Sequence, residues 1–228
     1  MAIRGSAPTL GDDVYERLRN QILSGELLPG TRLRPSELRG RMGVSVSVVR
    51  EALTRLTEQQ LVVSEPNRGF SVTNLSKKAL DDIVQVRVEL EGFALSLAVA
   101  NGDVSWEAKV LATEHILTQT PIASDDGSIR SDWNAVHATF HHQLLAGCDN
   151  ESLLALCDSL FRSCELYRRW SDPLLNERDV VEEHRELARA AVSRDADRAV
   201  RLLREHIERT RDLALKNIAA LTVDLSSK

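Results

Sequence analysis

Six histidines occur in the 228 residues, and four of them are spaced so that they could hold a metal ion. His137 and His141 are four apart, which on a helix puts both imidazoles on one face. His184 and His206 fall in two later helical segments, with Val181 and Leu187 near the first and Leu203 and Ile207 near the second. Neutral imidazoles converging from three helices suit Zn, Ni or another borderline divalent ion. Taken singly, the same residues read as scattered core or surface histidines. Glu183 directly precedes His184 and could act as a general base if such a centre activated water; the alternative is a solvated surface carboxylate. Arg87 and Glu91 are one turn apart, and as an exposed intrahelical pair they would contribute about 0.3 to 0.5 kcal/mol.

The elements that must position these residues are nearly all helices. Spacing and punctuation predict helices over 77–100, 105–119, 131–147, 151–170, 177–193 and 196–220, with breaks at Asn101 to Asp103, Pro121 to Gly127, Gly147 to Asn150, Ser171 to Pro173 and Arg194-Asp195. Long helices joined by short loops make an antiparallel bundle. Cys148, Cys157 and Cys164 lie in apolar helical surroundings; the seven-residue spacing of the last two fits packed, reduced thiols better than a redox or metal role.

The front of the chain is built differently. Val14, Leu18 and Ile22 recur every four residues in a helix over 10–24 that Gly25 ends, and a short helix over 36–42 is followed by Gly43. Val49, Ala52, Leu53 and Leu56 form the buried stripe of a helix within 44–56, with Ser45 as its cap, while Ser47, Arg50, Glu51 and Thr54 face away. Two short helices with a glycine turn make a helix-turn-helix, whose second helix fits a major groove. Runs at 61–65 and 70–73 flank Pro66, Asn67, Arg68 and Gly69 and read as a hairpin with a basic tip, a wing able to approach phosphates. Arg34 and Ser36, at the start of the 36–42 helix, are candidate phosphate contacts, since helix N-termini favour anions.

Charge separates the two regions. Residues 1–75 carry ten basic against eight acidic side chains, a net of +2, whereas 76–228 carry 19 against 26, a net of −7. That asymmetry directs the front at nucleic acid. The segmentation expected is a flexible arm over 1–9, a winged helix-turn-helix over 10–73, a linker over 74–77 and a helical domain over 78–228. No apolar run long enough to span a membrane occurs, and the N-terminus lacks a signal-peptide pattern, so a cytoplasmic protein is expected.

Three stretches carry a family resemblance: ILSGELLPGTRLRPSEL (Ile22 to Leu38), VSVSVVREAL (Val44 to Leu53) and the Arg68 to Phe70 tip. The first resembles the G-x-L-x-P-G-x-x-L segment, and the second the S-x-x-x-V-R-E-A-L recognition helix, of the GntR superfamily of bacterial transcription regulators. Val86 to Ala100, Phe140 to Leu154 and Glu182 to Thr210 resemble the FCD effector-binding domain of its FadR branch. The fold implied is mainly α, a winged helix-turn-helix followed by an all-helical bundle.

The resemblance implies a homodimer that binds a near-palindromic operator, acts as a repressor, and is not an enzyme. Ser45, Ser47 and Arg50 would face the groove or its phosphates, and Arg68 with Gly69 would form the wing contact. It implies a small carboxylate effector in the bundle, with Arg87 pointing inward to pair with it. The family's metal ligands match His141, His184 and His206, while His137 stands where the family has an Asp or Asn. Two outcomes follow: a four-nitrogen site, or three histidines with His137 turned away or touching the effector. His115 and His142 have no place in that set and are expected in solvent. Val46 replaces the arginine usual after the capping serine, so a base-reading group is missing. The rival readings are a sensor in which the ion itself is the signal and a helical metalloenzyme; a winged helix serves no hydrolase.

Overall fold

The computed structural model describes residues 9–66, 68–124, 129–170 and 179–226. The arm over 1–8, Asn67 of the wing tip, the turn at Ser171 to Pro173 and the expected helix start at 177 lie outside the described residues. The chain divides into two compact units, 1–75 and 76–228.

In the first unit, α1 (Leu10–Leu23) begins at a capping box in which Thr9 accepts from the Asp12 backbone N–H at 3.1 Å and the Asp12 carboxylate accepts from Thr9 N–H at 3.0 Å. The bond from Thr9 N–H, a second from the Thr9 hydroxyl at 2.8 Å and the Arg55 guanidinium 2.8 Å away hold the Asp12 carboxyl pKa down at about 2. Val14, Leu18 and Ile22 pack on Val49, Ala52, Leu53 and Leu56 of α3 (Val46–Glu58), all fully buried. Between them, α2 (Pro35–Met42) starts one residue earlier than expected because Pro35 fits the first helical turn. It ends at Gly43, whose φ of +68° suits a residue without a Cβ. Ser45 is the cap of α3, as its place before the stripe predicts, and accepts from Val48 N–H at 3.4 Å, so that the helix begins at Val46.

The wing is β2 (Val62–Glu65) paired antiparallel with β3 (Gly69–Val72), shifted by a residue from the expected runs, with Val62 opposite Val72 and Glu65 opposite Gly69. A third strand that the sequence does not announce, β1 (Arg32–Leu33), adds to the other side of β3 in the order β1-β3-β2. It is two residues long, too short for any alternation to show, and Leu33 is its only buried side chain.

The second unit is a helical bundle: α4 (Lys77–Asn101), α5 (Val104–Gln119), α6 (Ser131–Leu145), a short 3₁₀ turn (Ala146–Cys148), α7 (Glu151–Trp170), α8 (Val180–Val192) and α9 (Ala196–Ser226). The sixth helix turns 3₁₀ at Ala146 instead of running to 147, and α9 continues past 220. A long α4 packs on α7 and α9, and α5 packs on α6 and α8, around Val88, Leu95, Val110, Phe140, Leu144, Leu187 and Leu203. Arg194, in the left-handed region at φ +63°, donates to the carbonyls of Val99 at 2.6 Å and Gly102 at 2.7 Å and so ties the α8–α9 turn to the end of α4. No helix among the described residues is long and apolar enough to cross a membrane.

Candidate metal centre

Each of the four histidines comes from an amphipathic helix with its imidazole on the inner face. His137 and His141 share α6, His184 projects from α8 and His206 from α9, and their exposures are 3, 3, 1 and 6%. One ring nitrogen from each lies within 4.8 Å of the corresponding atoms of the others. The Nε2 atoms of His137 and His141 are 3.1 Å apart. Metal–nitrogen bonds of about 2.0–2.1 Å place neighbouring donors of a tetrahedral centre about 3.3–3.4 Å apart, so this pair already has a chelating separation. Burial, then neighbouring His141 and Arg168, push the His137 pKa well down; burial, then His206 and His184, do so for His141. Both rings are thereby kept neutral, the form that donates a lone pair.

The surroundings orient the rings. The Nδ1 of His206 is 3.0 Å from Glu183 Oε2, which turns its Nε2 toward the other three, and Glu183 also accepts from Arg209 at 3.1 Å. Glu183 is therefore not a solvated carboxylate: its side chain is 15% exposed and committed to two partners, so it is not a free general base. His137 is not turned away: its ring stacks on Trp133 at 4.7 Å and its Nε2 faces the cluster. Its Nδ1 is buried and makes no hydrogen bond among the described residues. Two further residues were not anticipated. Asn134 is 4% exposed and its side-chain oxygen accepts from Arg168, which also binds Glu165 at 2.7 Å. Asn134 lies three residues before His137 and seven before His141, so its place on the same face was available in the spacing.

Arg87 points into the bundle, as the resemblance implied, and Glu91 is already there. Their side chains are 7% and 2% exposed, with Nε 2.5 Å from Oε1, so the small value for an exposed pair does not apply. Burial raises the Glu91 pKa; burial alone would lower that of Arg87, but the Glu91 charge and Cys164 raise it. The guanidinium lies 4.8 Å over the Phe161 ring. The space beside Glu91, His141 and Phe161 is only about 10 Å³, scarcely a water molecule. A larger cleft of about 550 Å³ opens between α8 and α9 and reaches His206. Glu182, Glu183, Glu186, Glu205 and Asp212 on its walls outnumber Arg209 and Lys216, a field that draws cations toward the histidines.

The remaining expectations fall as follows. His115 and His142 are both exposed, and His142 lies 3.0 Å from Asp158. All three cysteines are buried and free; burial pushes the Cys157 thiol up to about 12. In the first unit Arg34, Ser36, Ser45, Ser47, Arg50, Arg68 and Gly69 are all exposed. Arg34 pairs with Glu37 at 2.8 Å and Arg68 with Glu65 at 3.3 Å. Among the described residues the exposed Arg50 side chain is not paired with Glu51 or Glu58.

Comparison with known proteins accounts for both units. Residues 10–72 match the profile of bacterial regulatory proteins of the gntR family, and residues 82–209 match the FCD domain. The chain is 33% identical to the HTH-type transcriptional repressor GlaR of Escherichia coli, over 86% of this chain and 91% of that protein. It is 36% identical to the HTH-type transcriptional regulator BphR of Paraburkholderia xenovorans, over 88% and 83%. Among solved structures, Escherichia coli McbR/YncC superposes with a TM-score of 0.69 at 25% identity, covering 91% of this chain and 98% of that one. A GntR regulator from Rhodococcus sp., at 22% identity and a TM-score of 0.66, shares the fold. Two profiles matched in succession, and a named repressor aligned along nearly its whole length, are what a DNA-binding transcription regulator rather than an enzyme leaves in a sequence: the chain belongs to the GntR family, with an FCD domain as its second unit.

Proposed function

We propose that the protein is a cytoplasmic, homodimeric repressor whose helical unit holds a divalent ion, Zn or Ni, through His137, His141, His184 and His206, and responds to a small organic acid. The observation that carries this is the convergence of four buried imidazoles on one point, with Glu183 orienting the ring of His206. When bound, the ion would supply a fixed positive charge for an oxygen of the effector. Arg87 would meet the effector's carboxylate if Glu91 gave way, which couples ligand binding to a rearrangement of α4. An effector with different affinity for two arrangements shifts their populations, and through them the spacing of the winged helices. A half-exposed apolar stripe on α4, with Val86 at 48% and Phe93 at 56% one heptad apart, supports dimerisation through the helical unit.

On DNA, Arg50 is the leading contact, because its side chain is exposed in the first turns of α3 and pairs with no acid among the described residues. Ser45 and Ser47 would contact the groove or its phosphates beside it, Arg34 and Ser36 the phosphates at the start of α2, and Arg68 with Gly69 the neighbouring backbone from the wing. A second reading, in which the ion itself is the signal, is favoured by the acidic cleft leading to His206 and by the small void beside Glu91 and His141.

The test has two arms. Metal content is measured on chelator-free protein beside His141→Ala and His184→Ala; loss of metal in both variants is expected, and equal near-zero metal in all three ends the metal assignment. DNA selected from a random pool is then titrated with metal alone and with carboxylates alone, which separates the two signals. Arg50→Ala should bind the selected DNA about tenfold more weakly and lower the salt slope by about 1; full retention of affinity removes Arg50 from the interface.

A further inference from the structure

Two buried polar atoms on α6 have no hydrogen-bond partner among the described residues: Nδ2 of Asn134 and Nδ1 of His137, on residues 4% and 3% exposed. Being three residues apart, they leave the same face of the helix, with Cβ atoms about 5–6 Å apart. The Asn134 amide cannot be turned round. Arg168 has only donors, so the atom it touches must be the oxygen, and the unpartnered atom is the NH₂. The state of His137 follows from its other nitrogen, which faces His141 at 3.1 Å. An imidazole that offers the Nε2 lone pair to an ion, or to a neighbouring N–H, carries its proton on Nδ1. Both atoms are then donors. Leaving one buried donor unmet costs about 1–3 kcal/mol, and here two leave the same face of one helix, with the Arg168 guanidinium on the amide's oxygen. Arg168 is itself fixed by Glu165 at 2.7 Å and lies 5.4 Å over the Trp133 ring.

We infer that Asn134 Nδ2 and His137 Nδ1 form a two-donor seat for an oxygen of the effector, a carboxylate or a hydroxyl beside one, with Arg168 holding the amide in register. The inference rests on the proposed acid effector and on His137 offering its Nε2 lone pair to the cluster, whether to an ion or to the neighbouring N–H of His141. It gives the effector an anchor on α6 separate from Arg87, whose guanidinium Glu91 already occupies.

Asn134→Asp tests it on the full chain loaded with zinc. That change keeps an oxygen for Arg168 but replaces the NH₂ by a second oxygen, which accepts from His137 Nδ1–H and repels an incoming anion. Acetate, 2-hydroxypropanoate, succinate and 2-hydroxysuccinate are titrated calorimetrically, and zinc is measured on the same samples. The expected result is zinc retained, with affinity for the acid that wild type binds best lowered at least about tenfold. Affinity within twofold of wild type in Asn134→Asp, zinc retained, overturns the seat; so does a zinc-loaded wild type that binds none of the four acids. If wild type takes up no zinc, the metal assignment fails by itself. The acids are then titrated onto the metal-free chain, where the same loss in Asn134→Asp supports the seat and unchanged affinity overturns it.

Discussion

Glu183 Oε2 and His206 Nδ1 lie 3.0 Å apart across α8 and α9, and that bond fixes which nitrogen of His206 faces the other three imidazoles. A carboxylate behind a ligating ring both orients it and makes it a better donor, and losing such a partner typically weakens metal affinity about 10- to 100-fold. Glu183→Gln keeps the size and a hydrogen-bonding oxygen but loses the charge. Zinc affinity, measured by competition with a chromophoric chelator, should fall within that range while the helical content measured by circular dichroism stays unchanged. Unaltered affinity would mean that Glu183 serves Arg209 alone.

In the proposed centre His137 would decide the character of the donor set. Four nitrogens and no oxygen favour Ni and Zn over Mn, whereas an oxygen ligand moves a site toward harder ions. His137→Asp should raise the affinity for Mn relative to Ni, read as the ratio of their dissociation constants on the same preparation. An unchanged ratio would show that His137 lies outside the coordination sphere, despite the 3.1 Å approach of its Nε2 to His141.

How far the sequence disclosed these features depended on distance along the chain. The stripe from Val49 to Leu56 and the turn at Gly43 are local patterns, and α3 was legible from them. β1 was not, because two residues carry no period and are held in place only by β3. The four histidines could be assembled because each sits on the inner face of one of three helices, His137 and His141 sharing α6, and three of them stand at positions the family resemblance marks. Glu183 was misjudged as a surface group, since its burial depends on where α9 crosses α8, which no pattern within α8 reveals. The contact of Asn134 with Arg168 spans 34 residues and two helices, so only the face of Asn134 could be read beforehand.

The buried Arg87–Glu91 pair should behave asymmetrically on mutation. Removing one partner strands a charge at 2–7% exposure and costs about 3–5 kcal/mol, whereas replacing both by apolar residues of similar volume is often neutral or stabilising. Urea unfolding of Arg87→Met and Glu91→Leu should therefore show two strongly destabilised single variants and a double variant near wild type. The double variant should also lose any response of DNA binding to carboxylates. Additive losses in the double variant would show that the packing of Arg87 over Phe161, rather than its charge, is what the fold requires.

Asp12 offers a pH test confined to the first unit. Its carboxylate is held at about 2, against an ordinary value of 3.8, by the Thr9 backbone and hydroxyl first and by Arg55 next. A carboxyl group whose pKa is lower in the folded state binds fewer protons there than in the unfolded chain. Its contribution is therefore complete above about pH 4 and is lost as pH falls toward 2. The group is exposed, so the effect will be modest and will shrink with added salt. Thermal unfolding of the wild type should show a downward step between pH 4 and 2 that Asp12→Asn lacks, the variant being the less stable at pH 7 because an amide cannot reproduce the charge-assisted bond to Arg55. Parallel curves for the two proteins across that interval would assign the acid sensitivity to other carboxylates and leave the α1 cap without an electrostatic role.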